Sequence, residues 1–285
     1  MSERFMAVVF LSAISLPLLC AAQNSATDQY SVDQQLVIAS FELDVDRVKS
    51  LLASGADPDA RMGAHDRSLF KDKWTLGTPI ASSKWTPLLA VANSHRAPQP
   101  EKRTENTTMQ RRAALKRRNA IDPEVIEERD ERRVAIAKML IAADADLDLD
   151  DGVGATALSR AVYLGYEQLS LLLIESGAEI NTKTGIYIDG TADITPVHRA
   201  TKSPDVLKAM IEHGANVNVE DAAGRTPLDW AVSFRRRKSV ELLIDAGAEV
   251  DARHAERILR PRFLDRSTEA ERKRIFELLK DTAGK

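Results

Sequence analysis

The sequence predicts an all-α solenoid of about five helix-turn-helix repeats, with loop fingers between the repeats and one capping helix at the C-terminal end. Two short strings recur in alternation along the chain, and three copies of the first string place glycine at Gly177, Gly214 and Gly247. These glycines are 37 and 33 residues apart. A repeat of this length is typical of a stack in which each helix pair buries its apolar side against the next pair.

The first string is the end of a helix followed by a turn. Its clear copies occupy residues 51–59, 172–181, 210–218 and 242–251. Each copy has apolar residues before a Gly-Ala pair, and glycine at this point permits the left-handed conformation that turns the chain out of a helix. A fifth, degenerate copy over residues 140–148 has Asp144 where the glycine is expected.

The second string opens a helix. Its copies begin at Thr86, Thr156, Thr195 and Thr226. Threonine can cap a helix, and the proline that follows it in all copies but one fits the first helical turn, where no N–H is needed. The apolar residue after this pair is predicted to enter the core. Each repeat therefore encodes a helix, a turn, a second helix and a projecting loop.

With these paired strings, the chain resembles the ankyrin-repeat family from about residue 32 to residue 253. The resemblance implies a curved stack of helix pairs with loop fingers along one edge, and such fingers line the partner groove in the family. It also implies a surface that grips another protein rather than one that performs chemistry. His198 occupies the family's usual histidine position and is expected to hold neighbouring loops by hydrogen bonds.

The predicted boundaries follow the two strings along the chain. They are a signal peptide over 1–22, an N-terminal capping repeat over 31–61, a long loop over 62–84, a repeat over 85–150 with a charged insertion over 95–131, a repeat over 151–184, a repeat with a long finger over 185–219, a repeat over 220–252 and a C-terminal cap over 253–285. Within the cap, residues 268–280 are predicted to form one closing helix, in which Thr268 and Glu271 match a capping box.

An apolar stretch near the start predicts export. Residues 5–19 are almost wholly apolar and are followed by the small residues Cys20, Ala21 and Ala22, so we expect a signal peptide that is cleaved after Ala22. The alternatives are an uncleaved anchor, for which the stretch is short, and lipid attachment at Cys20. Cleavage would leave a periplasmic or secreted chain without cysteine and without a stable membrane insertion, whose stability rests on packing rather than on disulfides.

Three segments depart from the repeat, and specificity is expected where the pattern is broken. The first is the loop over 62–84, which contains Phe70 and Trp74. These rings either anchor a partner or fold back on the first repeats, as Trp85 at the end of the loop is expected to do.

The second departure is the insertion over 95–131, which is basic in its first part and acidic in its second part. The clustered basic residues are Arg111, Arg112, Lys116, Arg117 and Arg118. They either dock an acidic partner or belong to a solvated loop, and the two charged parts either pair with each other or lie on opposite faces of a helical extension.

The third departure is the finger over 183–193, which is predicted to form a small hairpin with an exposed Tyr187. Two further aromatic residues, Tyr163 and Trp230, fall on or next to the first helices of their repeats. We consider both as partner contacts, with core packing between repeats as the alternative.

The sequence predicts no catalytic site, no metal site and no cofactor. It contains no phosphate-binding glycine loop, no His/Cys set with metal spacing and no nucleophile with its base. Asp146, Asp148, Asp150 and Asp151 alternate as in a calcium loop but lack its glycine and distal glutamate, so we interpret them as a polar finger. The formal net charge of −3 favours neither nucleic acid nor an anionic membrane as partner.

The expected function is therefore that of a non-enzymatic protein-binding module, monomeric when no partner is bound. With its export signal, the chain looks like a bacterial periplasmic protein that binds another periplasmic protein. The sharpest version is an immunity protein that occludes the active site of a secreted toxin such as a lipase. The alternative is a partner that supports a resident enzyme, for example in oxidant defence, and a hydrolase using the insertions is a remote alternative.

Overall fold

Helices make up the regular structure of the protein where it is described. The computed structural model describes residues 30–63, 84–94, 123–185, 192–251, 254 and 269–283. In chain order the helices are α1 (Val32–Glu42), α2 (Val45–Ala53), α3 (Pro87–Asn93), α4 (Pro123–Ala142), α5 (Ala157–Leu164), α6 (Glu167–Glu175), α7 (Pro196–Ala200), α8 (Pro204–Glu212), α9 (Pro227–Ser233), α10 (Arg237–Asp245) and α11 (Glu269–Ala283). The all-α solenoid that the sequence predicts is confirmed in these residues.

The helices form two layers. The first helices of successive pairs, α1, α3, α5, α7 and α9, contact one another in series, and the second helices, α2, α4, α6, α8 and α10, do the same. Between the layers lies one continuous apolar core, which includes the fully buried Leu158, Leu173, Leu207 and Leu243. Each pair thus buries its apolar side against its neighbours, as a solenoid requires.

A closing helix covers the C-terminal end of the stack. At this end, α11 packs on α10 and buries Ile275 and Leu279. Thr268, its predicted cap, lies outside the described residues. At the N-terminal end, Ser31 and Gln34 form a capping box that begins α1. Among the described helices, none combines the length and the apolar character that a membrane span needs.

Threonine begins four of the first helices as the sequence predicts. The side chains of Thr86, Thr156 and Thr226 each accept a hydrogen bond at 3.3 Å from the backbone N–H three residues later. Thr195 forms a capping box with His198. These bonds satisfy N–H groups that have no partner within their own helix.

The turns after the second helices have the left-handed backbone that the glycines predict. Gly55, Gly177, Gly214 and Gly247 have φ between 87° and 91°. A Cβ at any of them would meet nothing within 4 Å, so the conformation, not the space, selects glycine. Asp144, in the degenerate copy, adopts the same conformation with φ 61°, so the turn is kept although an L-residue is strained there.

A ladder of hydrogen bonds joins the turns of neighbouring repeats. At each step a side-chain oxygen of one turn accepts from a backbone N–H of the next turn at 2.8 to 2.9 Å. The acceptors are Asp59, Asp148, Asn181 and Asn218, and the donors are Asp146, Glu179, Asn216 and Glu249. Asp146 and Asp148, which alternate as in a calcium loop, are therefore part of the contact between repeats.

The loop over 62–84 leaves and rejoins the stack at one point. The backbone N–H of Met62 donates to the carbonyl oxygen of Trp85 at 3.0 Å. The buried Trp85 ring lies 6.1 Å from the ring of Phe41, between centroids, within a small apolar cluster. The predicted packing of Trp85 on the first repeats is confirmed.

The charged insertion over 95–131 ends in a helix. Because α4 begins at Pro123, the acidic residues that follow Pro123 belong to the same helix as the core residue Ile136. The acidic part is thus a helical extension of the second helix of this repeat.

Arg133 of α4 holds the point where this insertion leaves the first layer. Its side chain is 1% exposed, pairs with Asp130 and donates to the Ser94 carbonyl oxygen at 2.9 Å and to the Ser94 hydroxyl at 3.2 Å. The guanidinium lies 3.7 Å from the centre of the Tyr166 ring, and the Tyr166 hydroxyl donates to the same carbonyl at 2.7 Å. The end of α3 is therefore fixed to α4 and to the start of α6.

We expect Arg133→Met to lower the free energy of unfolding by about 2 kcal/mol, because it removes charge-assisted hydrogen bonds from a buried site. Arg132→Met is the matched control, since the neighbouring Arg132 is 51% exposed and pairs with Glu128, which is exposed as well. The control should change stability by no more than about 0.5 kcal/mol. Urea unfolding measures both, and equal losses would contradict the role assigned to Arg133.

Candidate partner-binding face

Two of the predicted partner contacts lie in the described residues. Tyr163 lies at the end of α5 and Trp230 in α9. The remaining predicted contacts lie outside the described residues: Phe70, Trp74, Arg111, Arg112, Lys116, Arg117, Arg118 and Tyr187.

Tyr163 and Trp230 flank a third residue, Arg199 of α7. The Arg199 guanidinium carbon lies 5.0 Å from the centre of the Tyr163 ring and 4.9 Å from that of Trp230. Cation–π attraction operates at these distances, and it is stronger where water is partly excluded. One side chain from each of three consecutive first helices thus forms a stack that crosses three repeats.

Arg199 is not among the residues predicted from the sequence, although the sequence contains a signal for it. Arg160, Arg199 and Trp230 are each the fourth residue after a capping threonine. Because the first helices contact one another in series, residues at equivalent positions come side by side. Aligning the repeats by their threonines predicts this row, whereas a search for aromatic residues alone does not.

The finger before α9 fixes the orientation of Trp230. The indole N–H donates to Oδ2 of Asp221 at 3.0 Å, and the Arg225 guanidinium carbon lies 5.0 Å from the ring centre. Arg225 also donates from Nε to the same carboxylate oxygen at 2.9 Å. Burial opposes ionisation of Asp221, but the hydrogen bonds from Arg225, Trp230 and Ala223 outweigh it and lower its pKa, so the carboxylate stays charged.

The finger before α5 repeats this arrangement two repeats earlier in the face. Asp151 is the counterpart of Asp221, since each lies five residues before its capping threonine. It accepts at 3.2 Å from the backbone N–H groups of Val153 and Ala155 and forms an ion pair with Arg160. Arg160 is therefore positioned by its finger, as Trp230 is.

An exposed aromatic residue ends the row. Phe234, in the turn after α9, is 52% exposed, and its ring centre lies 6.1 Å from that of Trp230. The guanidinium carbon of Arg236 lies 4.7 Å from the Phe234 ring centre, and Arg236 donates to the Thr201 hydroxyl at 2.8 Å. Trp230 itself is only 7% exposed, so its main role in the row is to position Arg199 and Phe234, whose side chains it contacts.

We call this row the cation–aromatic strip. It consists of Arg160, Tyr163, Arg199, Lys202, Trp230, Phe234 and Arg236. Lys202 is exposed and donates to the carbonyl oxygen of Tyr163, which places its ammonium group beside the stack.

The long finger over 183–193 starts beside the strip. Thr184 and Ile194 form an antiparallel bridge at its base, with the Thr184 N–H donating to the Ile194 carbonyl at 3.0 Å. Ile194 is fully buried in a cluster with Trp230 and Tyr163. The base of the predicted hairpin therefore packs on the strip, and its tip, with Tyr187, lies outside the described residues.

His198 packs against Trp230 of the strip and holds the backbone next to it. The Thr195 backbone N–H donates to Nδ1 at 3.3 Å, and Nε2 lies 3.0 Å from the Arg225 carbonyl oxygen, to which it must donate because a carbonyl only accepts. The ring also meets Trp230 edge-on, with centroids 5.9 Å apart. His198 thus joins its own repeat to the next finger, and the role predicted for it is confirmed.

The strip presents cationic and aromatic side chains, and the histidine beside it is engaged in hydrogen bonds. Both nitrogens of His198 are engaged in hydrogen bonds that hold the backbone. Across the described ranges, no group of three or more His, Cys, Asp or Glu side chains is placed to hold a metal ion.

Comparison with known proteins identifies the repeat. Residues 186–254, which include the helices α7 to α10, match the family model for ankyrin repeats (3 copies). Mouse Rabankyrin-5 is 35% identical over 97 residues, which are 31% of this chain and 8% of that protein. Human BCL-6 corepressor-like protein 1 is 30% identical over 160 residues, 55% of this chain and 8% of that protein.

The chain matches only part of each of these relatives. The chain spans 8% of both proteins just named and 25% of the mouse B-cell lymphoma 3 protein homolog, to which it is 29% identical over 117 residues. The similarity therefore concerns the repeats rather than the whole relatives, and it agrees with the all-α ankyrin solenoid of the structure.

We expect His198 to make stability depend on pH. Burial lowers the pKa of His198 below its ordinary value of 6.5, so the unfolded chain binds a proton more readily than the folded one. Its contribution is therefore complete above the unfolded pKa and is lost as the pH falls through the lower, folded pKa. Unfolding free energies of wild type and His198→Asn, measured from about pH 7 to about pH 5, should converge as the pH falls. A constant difference between the two proteins would contradict this.

Proposed function

Since the chain is an ankyrin-repeat solenoid, we propose that it binds another protein and that the cation–aromatic strip is the central part of its binding face. The observation that carries the proposal is the ordered stack of Tyr163, Arg199 and Trp230, which ends in the exposed Phe234. Aromatic residues and arginine dominate the binding energy of protein interfaces, where they cluster near the centre.

The strip is suited to binding because its side chains are already held in place. Finger aspartates, a buried histidine and cation–π contacts fix its members before any partner arrives. Side chains that are ordered in advance lose less conformational entropy on binding. The base of the long finger, packed on the strip through Ile194, extends the same face.

The partner's location and identity form the finer part of the proposal. The signal peptide predicted over residues 1–22 would place both proteins outside the cytoplasm. In the sharpest version the chain is an immunity protein that blocks the active site of a secreted toxin such as a lipase, and in the alternative it supports a resident enzyme that handles oxidants. Both versions rest on the predicted export and on the family resemblance. A hydrolase using the insertions would need a base from His65 or His95, which lie outside the described residues.

We expect deletion of the gene to separate these two versions. An immunity protein protects its cell, so the deletion strain should die in mixed culture with sister cells that keep the gene. Survival counts of the two strains, grown together and apart, measure this. Unchanged survival combined with new sensitivity to peroxide would overturn the immunity version and support the enzyme-partner version.

We expect Phe234→Ser to weaken partner binding by at least about tenfold, because it removes an exposed aromatic anchor from the end of the strip. Val32→Ser is the matched control: Val32 is a comparably exposed apolar residue, 45% against 52%, on the distant helix α1. Both variants should unfold at nearly the wild-type temperature, since both side chains are exposed. Affinity capture from a periplasmic extract with the three proteins measures the effect. A partner recovered equally by all three would show that the strip is not the binding face.

A further inference from the structure

His198 is completely buried at a point where three parts of the proposed binding face meet. Its Nδ1 accepts from the Thr195 N–H at the start of α7, and its Nε2 donates to the Arg225 carbonyl oxygen at 3.0 Å. The same carbonyl closes the finger before α9, because it also accepts from the Asp221 N–H at 3.0 Å. The imidazole and the Trp230 ring meet edge-on. One side chain thus joins a helix start, a finger and the stacked indole.

These contacts require the neutral form of the His198 ring. A carbonyl oxygen only accepts, so Nε2 carries the proton and Nδ1 keeps the lone pair that accepts from the Thr195 N–H. A second proton on Nδ1 would leave that N–H without its acceptor, although the Thr195 hydroxyl, 3.0 Å away, can accept from the new N–H. Protonation therefore costs a backbone hydrogen bond and the burial of a charge.

Burial is the largest influence on the ring and lowers the pKa of His198. The hydrogen bond to the Arg225 carbonyl and the negative charge of Asp221 act in the opposite direction without overcoming it, and the positive charge of Arg225 adds to it. The Asp221 carboxylate is already bound by Arg225 and Trp230. The neutral ring is thus the stable form at neutral pH.

The remaining described charges around α7 are engaged with other groups or exposed. Arg160 of α5 pairs with Asp151, Asp229 of α9 accepts from the N–H that begins its own helix, and Arg199 of α7 stacks on aromatic rings. The exposed ones, on α8, on the fingers and after α7, are Lys183, Asp193, Lys202, Asp205, Lys208, Glu212 and Glu220. Solvent screens charges in such positions.

Trp230 connects His198 to the surface. Its ring centre lies 4.9 Å from the Arg199 guanidinium carbon and 6.1 Å from the ring centre of Phe234, which is 52% exposed. If a charged imidazole leaves its buried place, Trp230 loses its edge-on contact and the Arg225 carbonyl loses one of its two donors. Energetic coupling passes through such chains of packed side chains. The order of the strip therefore depends on the neutral ring.

We propose that His198 is an acid-sensitive positioning residue of the binding face. Its neutral ring holds Trp230 and the finger before α9 in the arrangement that binds a partner, and its protonation releases them. This inference rests on the proposed function and adds the regulation of the same face. Because one proton is involved, partner affinity should be complete while the ring is neutral and should fall by at most about tenfold per pH unit once the ring begins to charge.

The test is an NMR titration of the full chain without a partner, from about pH 7.5 to about pH 4.5. The ring resonances of His198 and the indole N–H resonance of Trp230 should shift with one common midpoint. The indole of Trp85, which packs beside Phe41, is the internal control and should not shift at that midpoint. Asp221, which accepts from the Trp230 indole, titrates below this window because its pKa is lowered from its ordinary value of 3.8.

Three histidine variants identify the group responsible. His198→Asn should abolish the Trp230 shift, whereas His213→Asn, at the exposed end of α8, and His254→Asn should keep it. His254 is the closer control, because it is buried as well and its Nε2 lies 3.6 Å from Oδ1 of Asp229, the neighbour of Trp230 in sequence. A shift that survives His198→Asn, or one that His254→Asn abolishes, would overturn the inference.

The titration of the wild type decides the matter if His198→Asn fails to fold. A Trp230 shift at the His198 midpoint, with Trp85 unchanged, supports the inference, and a Trp230 resonance that does not follow the ring overturns it. A ring that stays neutral down to about pH 4.5 overturns it too.

Partner capture separates this inference from the proposed function. A partner captured from a periplasmic extract at about pH 7.5 should lose up to about tenfold in affinity for the wild type at one pH unit below the His198 midpoint, and much less for His198→Asn. Equal losses, with Phe234→Ser still deficient in capture, would overturn the inference and leave the proposed function intact. Capture that Phe234→Ser does not weaken would overturn the proposed function, whereas the titration would still report the coupling of His198 to Trp230.

Discussion

The register between neighbouring repeats is the constraint on which the rest of this molecule depends. In each turn of the solenoid an Asp or Asn side-chain oxygen accepts a hydrogen bond from a backbone N–H of the next turn. These bonds keep the turns of successive helix pairs aligned. The bond from Asp146 to Asp59 spans 87 residues, a stretch that contains both large departures from the repeat. The stack therefore keeps its order although the chain is interrupted twice between these two turns.

The proposed binding face follows from that order. Residues that share a position in the repeat come side by side only when the pairs are in register, and this brings Arg160, Arg199 and Trp230 into one row. Two fingers then fix Arg160 and Trp230 of this row through Asp151 and Asp221, which accept from equivalent backbone N–H groups in the two repeats. The residues of the proposed binding face thus occupy repeat positions that are used neither for capping nor for the main core.

Much of the scaffold could be predicted because its signals are local. Capping threonines, turn glycines and the apolar sides of helices each depend on a few consecutive residues, and Trp85 was correctly expected to pack on the first repeats. The contacts of the strip could not be predicted from such local signals, because they join three helices whose residues are far apart in sequence; only an alignment of the repeats places Arg160, Arg199 and Trp230 side by side. Trp230 shows the difficulty: its ring is nearly buried, as a core residue would be, yet it orients Arg199 and Phe234 on the surface. The residues predicted from the two long insertions and the finger tip remain predictions.

Hydrogen bonds hold together the residues on either side of both insertions. Met62 bonds to Trp85 where the first one leaves the stack, and Arg133 grips Ser94 where the second one does. Because these contacts hold the residues on either side of each insertion, the register of the stack does not depend on the length of the chain between them. Segments of another length or sequence can therefore be inserted at the same two points while the helix pairs of the solenoid stay the same.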